Sequence, residues 1–159
     1  MKVRHFHLRK QSGVGLIEIL IAVLVLSIGF LGMAALQAQA LSNNNSAMAR
    51  SMGTIASYSI LDAMRVDLHG VQASDYDGKE VEVPESWNAP GDCGGNAGSL
   101  YQTNINNWCD DLGSLMGPGT VGKISADGDG GNYIITVTFD DERATGGVGE
   151  QTIVTRAKL

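Results

Sequence analysis

Eighteen consecutive residues, Ile19 to Leu36 (ILIAVLVLSIGFLGMAAL), carry no charge and a single hydroxyl. That length is at the lower edge of what crosses a hydrocarbon core, about 20 residues. The first thirteen residues, MKVRHFHLRKQSG, separated from it by a short junction, hold Lys2, Arg4, Arg9 and Lys10 and no acid. A basic flank of this kind stays cytoplasmic, so the remainder is expected outside the cytoplasmic membrane. A secretory signal shares the basic start and apolar core. Here the run is longer than a usual signal core, and no A-x-A site closes it cleanly. Ala34, Ala35, Ala38 and Ala40 leave a cleavable signal as an alternative.

The rest of the chain is unlike this start. Of 21 glycines, 16 lie at Gly70 or later, among many Asp and Asn residues. Hydrophobic residues at 43% exclude a disordered chain. A net charge of -6 argues against nucleic acid as a partner, because phosphate binding needs a basic surface.

Glu18 stands immediately before the apolar run. A carboxylate at the centre of a membrane helix costs about 2.5–3.5 kcal/mol on insertion scales, and less near the interface. A carboxylate so placed calls for a cation; the alternative is an interfacial Glu that reaches headgroups. The string Gly13-Val14-Gly15-Leu16-Ile17-Glu18, followed by ILIAVLVLSIGFLGMAALQ, resembles the signal of type IV prepilins and pseudopilins over about residues 9–40. The resemblance implies a leader cut between Gly13 and Val14, N-methylation of Val14, and an assembly role for Glu18. The family usually has Phe at the first mature position, so Val14 is a departure, while the spacing from Gly13 to Glu18 keeps the register. It also implies prepilin peptidase/methyltransferase, other minor pilins, a major pilin and a tip adhesin as partners. Cutting would free an amine on Val14 that can pair with a neighbouring subunit's Glu18 carboxylate. Gly29, Gly32, Ala34 and Ala35 offer small surfaces for helix packing, and the two glycines equally suit a kink.

Beyond Gln37 the chain turns polar with no proline. Met48, Met52, Ile55, Ala56, Ala63, Met64 and Leu68 recur near helical spacing. One helix from about Gly15 to His69 is expected, roughly 80 Å long at 1.5 Å per residue. The Met residues are expected in a core stripe rather than at a metal. Three segments follow: a leader at 1–13, a long helix at 14–69 with 14–41 in membrane or filament, and a head at 70–159.

Within the head, Val81–Val83 reads as a short strand ended by Pro84. Ile105, Trp108, Cys109, Leu112, Leu115 and Met116 fit one face of a second helix, stopped by Gly117-Pro118-Gly119. Strands are expected at Val121–Ser125, Asn132–Asp140 and Gln151–Lys158. The middle one places Tyr133, Ile135, Val137 and Phe139 on one face. Residues 127–131 suggest a hairpin turn, and Glu142 to Gly149 a longer connection. The expected fold class is α+β and pilin-like: a long N-terminal helix packed on an antiparallel sheet.

The two cysteines, Cys93 and Cys109, lie in the part assigned to the oxidising side. One disulfide is expected, with two free thiols as the alternative. Zinc is disfavoured because the nearest histidine, His69, is remote in sequence. Asp127, Asp129 and Asn132 could offer oxygens to calcium, but the twelfth-position Glu of a calcium loop is missing, and Asp and Gly are also hairpin residues. Asp140, Asp141 and Glu142 read as a solvated edge. With His5 and His7 in the leader, His69 alone could support a triad, and a capping or surface role suits it better. No phosphate loop or dinucleotide fingerprint occurs, so no catalytic residue and no cofactor is assigned.

The sequence therefore reads as a minor pilin, inserted in the inner membrane with its head periplasmic, then incorporated where a type IV pilus begins to assemble. A minor pseudopilin of a type II secretion system is the alternative. A membrane-tethered periplasmic enzyme is a third reading, with no triad or metal cluster behind it.

Overall fold

The computed structural model describes residues 13–94, 98–128, 131–141 and 149–159. The chain divides into two compact units, Met1–Ala40 and Leu41–Leu159. The described part of the first unit is the start of helix α1 (Leu16–Val66). Here every side chain from residue 13 to 40 is exposed. The best 18-residue window of α1 has a mean hydropathy of 2.7. An apolar surface that large, with no cover from the described residues, suits lipid or contact with other apolar helices. Ser27, the hydroxyl in this run, donates to the Val23 carbonyl at 2.7 Å, so no polar group is left open to an apolar medium.

The second unit contains the rest of α1, then α2 (Leu68–Gln72), β1 (Glu80–Glu82), α3 (Leu100–Met116), β2 (Val121–Ala126), β3 (Asn132–Asp140) and β4 (Glu150–Lys158). The strands form one antiparallel sheet in the order β1-β2-β3-β4. This is the expected α+β, pilin-like architecture. Alternation along β3 turns Tyr133, Ile135, Val137 and Phe139 inward, as the sequence pattern required. Facing rows such as Gly122–Val137–Ile153 and Ile124–Ile135–Thr155 build the inner face. The outer face mixes polar residues such as Lys123, Thr136, Thr138 and Thr152 with Val121, Ile134 and Val154.

Two helices cover that inner face. The buried face of α1 consists of Ser46, Gly53, Ala56, Ser57, Ile60, Leu61 and Met64. This corrects part of the stripe read from the sequence: Ala56 and Met64 are buried as expected, but Met48, Ile55 and Leu68 are 57%, 59% and 53% exposed. The buried face is small at its start, from Ser46 to Ser57, and large at its end, with Ile60, Leu61 and Met64; it is small where the helix backbone comes close to the sheet. A Cβ on Gly53 would lie 2.5 Å from Cδ1 of Ile153 on β4. Ser57 is satisfied within the helix, donating to the Gly53 carbonyl at 2.8 Å. Helix α3 covers β2, where Gly122 leaves room for Trp108 and Leu112. Trp108 also donates its Nε1 hydrogen to the Ala56 carbonyl at 2.9 Å, tying α3 to α1. The end of α3 is set by Gly117, whose φ of 95° is open to glycine at little cost.

The expected helix end at His69 is also corrected. Helix α1 stops at Val66, Asp67 leaves the helical conformation with ψ 60°, and α2 restarts at Leu68. No proline is needed, because the Asp67 carboxylate replaces the lost backbone partner. It accepts from the Gly70 amide at 3.1 Å and from the Tyr76 hydroxyl at 2.9 Å. Asn104 on α3 donates to the same hydroxyl at 2.7 Å, so the break is locked to the core. His69 itself is exposed.

Burial raises the Tyr76 pKa above its ordinary value; the Asn104 bond works the other way and the Asp67 carboxylate adds to the rise. Burial, then the charge of Asp77, raises that of Tyr133. Both phenols are thus held neutral in the folded state at pH values where the unfolded chain ionises them. Their stabilising share is complete below about pH 10 and is lost as pH climbs toward the raised folded values. Denaturant titrations of the detergent-solubilised chain should show stability falling above about pH 10, and less steeply in Tyr76→Phe. A second expectation concerns the tight contact on β2. Gly122→Ala sets a methyl 2.5 Å from the Trp108 ring. It should cost about 1–3 kcal/mol of unfolding free energy by overpacking, measured in the same titrations.

Candidate functional site

Two places on the chain combine sequence motif with unusual local structure. The first is the entry to α1. Gly13, Val14 and Gly15 precede the helix, and Glu18 lies in its first turn. The Gly15 carbonyl accepts from the amides of Glu18 and Ile19 at 3.0 and 3.3 Å, which starts the helical ladder. Val14 is two-thirds exposed. A Cβ on Gly13 would meet nothing within 4 Å among the described residues, and its φ is not in the left-handed region. Nothing in the described fold therefore requires glycine there. The same holds for Gly29 and Gly32 on the apolar helix.

The second place is the segment between β1 and α3. Cys93 and Cys109 form a disulfide with Cα atoms 5.9 Å apart, so the free-thiol alternative is set aside. The bond fastens the segment to α3 next to a hub that the sequence did not reveal. Asp110, almost buried, accepts from the Gly91 amide at 2.8 Å, the Cys93 amide at 3.3 Å and the Trp87 indole at 3.3 Å. The Trp87 ring lies over Gly113, where a Cβ would come within 2.5 Å of it. Asp92 steadies the turn before the cysteine by accepting from the amides of Asn88 and Ala89. The available signal was the pairing of Trp87 with a glycine inside a helix. It could not be read without knowing that the two segments meet.

Beside this segment lies an open cleft of about 420 Å³ lined by Ser59, Ala63, Pro90, Asn104, Asp110 and Asp111. Its carboxylates already serve the fold: Asp110 as above, and Asp111 by accepting from Ser59 at 2.9 Å. Among the described residues no group of three His, Cys, Asp or Glu side chains could hold a metal. Asp127 and Asn132 close the β2–β3 turn through an amide-to-carbonyl bond of 2.8 Å, the role that a hairpin gives them. Asp129 lies outside the described residues, as do His5, His7 and most of the connection expected at 142–149.

Residues 8–34 match the family described as the prokaryotic N-terminal methylation motif. No curated protein and no solved structure matches the chain. The matched segment spans Gly13, Val14 and Glu18 together with most of the apolar run. Together with a long N-terminal helix packed on a four-stranded antiparallel sheet, it gives the chain the prepilin-type motif and the pilin-like architecture of the type IV pilin and pseudopilin class. Proteins of this class are structural subunits rather than enzymes, and the motif implies processing by prepilin peptidase.

The disulfide closes a loop between positions 16 apart. Chain-entropy arguments give such a loop about 3 kcal/mol. Cys93→Ser combined with Cys109→Ser should lower unfolding free energy by about that amount. Proteolysis should then cut the 85–99 segment first, because Asp110 and the Trp87 contact alone must hold it. Thermal melts and limited digestion followed by peptide mapping check both.

Proposed function

We propose that the chain is a minor pilin, most similar to the type IV pilus modification protein PilV. It enters the inner membrane with the basic flank cytoplasmic and the head periplasmic. Prepilin peptidase cuts between Gly13 and Val14, and Val14 becomes N-methylated. The subunit then joins other minor pilins at the assembly-initiating end of a pilus, with the major pilin following and a tip adhesin as a partner. The observation that carries this reading is the methylation-motif match, with a glycine at 13 and a carboxylate at 18 in register.

Physical chemistry supplies the reason for that register. Cleavage leaves a cationic amine on Val14, close to the carboxylate of Glu18. In an apolar setting each charge alone is costly, and pairing the amine of one subunit with the carboxylate of the next relieves both. The pairing fixes the axial offset between subunits. Moving the apolar helix from lipid into a helical bundle gains little hydrophobic energy, so packing at small residues must supply the rest. Gly29 and Gly32, open in the single chain, suit that contact. Loss of the leader removes four of eleven basic side chains and leaves seven against 17 acids, a charge of -10.

Intact and N-terminal peptide masses from host membranes test the reading. The expected chain starts at methylated Val14 and has lost two hydrogens at Cys93 and Cys109. Gly13→Leu should leave the leader in place, and Glu18→Ala should be cut yet be missing from the assembled fraction. Persistence of residues 1–13 in cells with active prepilin peptidase would falsify the proposal. A type II secretion pseudopilin would pass these mass tests, and would be recognised by loss of secretion rather than of pili when the chain is deleted.

A further inference from the structure

Strand β4 is the last strand of the sheet and pairs only with β3 among the described residues. Its sequence, Glu-Gln-Thr-Ile-Val-Thr-Arg-Ala-Lys, has no proline, no glycine and a β-branched centre. Natural sheets blunt an edge this long with charged side chains, a proline, a bulge or a covering element. In β4 the charges stand only toward the ends, at Glu150, Arg156 and Lys158, and the stretch from Gln151 to Thr155 carries none. The ladder settles which groups point outward. The Asp141 amide donates to the Gly149 carbonyl and the Leu159 amide to the Gly131 carbonyl. Odd-numbered residues of β4 therefore face β3, and the N–H and C=O of Glu150, Thr152, Val154, Arg156 and Lys158 face away from the sheet. The side chains of these five residues are exposed as well, Val154 by 49%. Arg156 and Lys158 are two of only seven basic residues after Gly13, and neither forms an ion pair among the described residues.

We infer that the outer edge of β4 takes up an extended segment of a different protein, which adds to the sheet as a fifth strand and sets acidic side chains against Arg156 and Lys158. Backbone groups supply the hydrogen bonds of such strand addition, and the local charge selects the partner. A second copy of this chain fits less well. Its other sheet edge, β1, is three residues long and is followed within two residues by Pro84. Pairing β4 with β4 about a two-fold axis closes the contact in a dimer, whereas a subunit built into a filament meets neighbours through open-ended contacts. That last step rests on the pilin reading proposed above.

Amide exchange read by fragment mass spectrometry tests the inference, using the full chain in detergent and in the assembled fraction from host cells. In detergent the amides of Thr152, Val154 and Arg156 should exchange fast and those of Ile153 and Thr155 slowly. In assembled material the first three should slow by about tenfold or more. Fast exchange there overturns the inference. Val154→Pro removes one outward N–H and leaves the β3 ladder intact, as edge strands tolerate. It should melt like the parent chain in detergent yet be lost from the assembled fraction, while Val154→Thr is retained. Retention of Val154→Pro at the parent's level also overturns it. If that variant does not fold, the exchange comparison on the parent chain decides. Cross-linking from Val154→p-benzoylphenylalanine should yield a peptide of another protein with Asp or Glu near the link, and a link to a second copy of this chain sinks the proposal. The same spectra read the N-terminus. An uncut leader removes the pilin reading, whereas methylated Val14 with a fast-exchanging β4 edge removes only this inference.

Discussion

One helix has to satisfy two different media, and the remaining architecture follows from that. Over its first 25 residues α1 shows apolar side chains on all sides. Over its later part it buries one narrow face and exposes the other. A single backbone hydrogen-bond ladder serves both, because helical bonding is internal to the segment whether the surroundings are lipid, protein or water. The side chains alone change. A strand could not make this passage, since its backbone groups would need partners in the apolar medium.

The second unit is organised around close approach. Gly53 admits Ile153, Gly122 admits Trp108 and Leu112, and Gly113 admits Trp87. At each of these points a backbone comes within reach of a large side chain. At these points the large residue comes from the sheet, from α3 or from the segment before α3, while α1 adds Ile60, Leu61 and Met64 to the core further along. Trp108 completes the arrangement with its hydrogen bond to the Ala56 carbonyl, so apolar contact and polar satisfaction coincide in one side chain. The Asp67, Tyr76 and Asn104 chain does the same where α1 stops.

This distribution explains which features were legible in the sequence. The alternation of Tyr133, Ile135, Val137 and Phe139 identified β3 because an antiparallel sheet with one covered face imposes a period of two. The face of α3 was equally plain, since Trp108, Cys109 and Leu112 keep helical spacing. The disulfide followed from an even cysteine count. The buried face of α1 was only partly legible: Ala56 and Met64 are buried as read, but hydrophobicity ranks Met48 and Ile55 above Gly53 and Ser57, and the approach of Ile153 leaves room only for a glycine at 53. The break at Asp67 was hidden because a carboxylate can end a helix without proline or glycine, provided that Tyr76 and Gly70 arrive from elsewhere. Asp110 was invisible for a similar reason: its three donors lie 17 to 23 residues earlier in the chain. Of the candidate site, the motif at 13–18 was fully legible because its residues are contiguous.

The glycines carry the last step. Those of the second unit that abut side chains are explained by the chain itself. Gly13, Gly29 and Gly32 abut nothing among the described residues, and none has a left-handed φ. In the middle of a helix each of the latter two costs about 1 kcal/mol relative to alanine. The chain itself therefore gives no reason for glycine at these three positions. On the function proposed above, the reason at Gly13 is a processing enzyme that reads a small residue at the cut. On the same reading, Gly29 and Gly32 serve a neighbouring helix close enough to exclude a methyl group, or a kink in α1. The proposed strand addition at β4 would extend the same logic, with backbone groups rather than missing side chains left for a partner to complete.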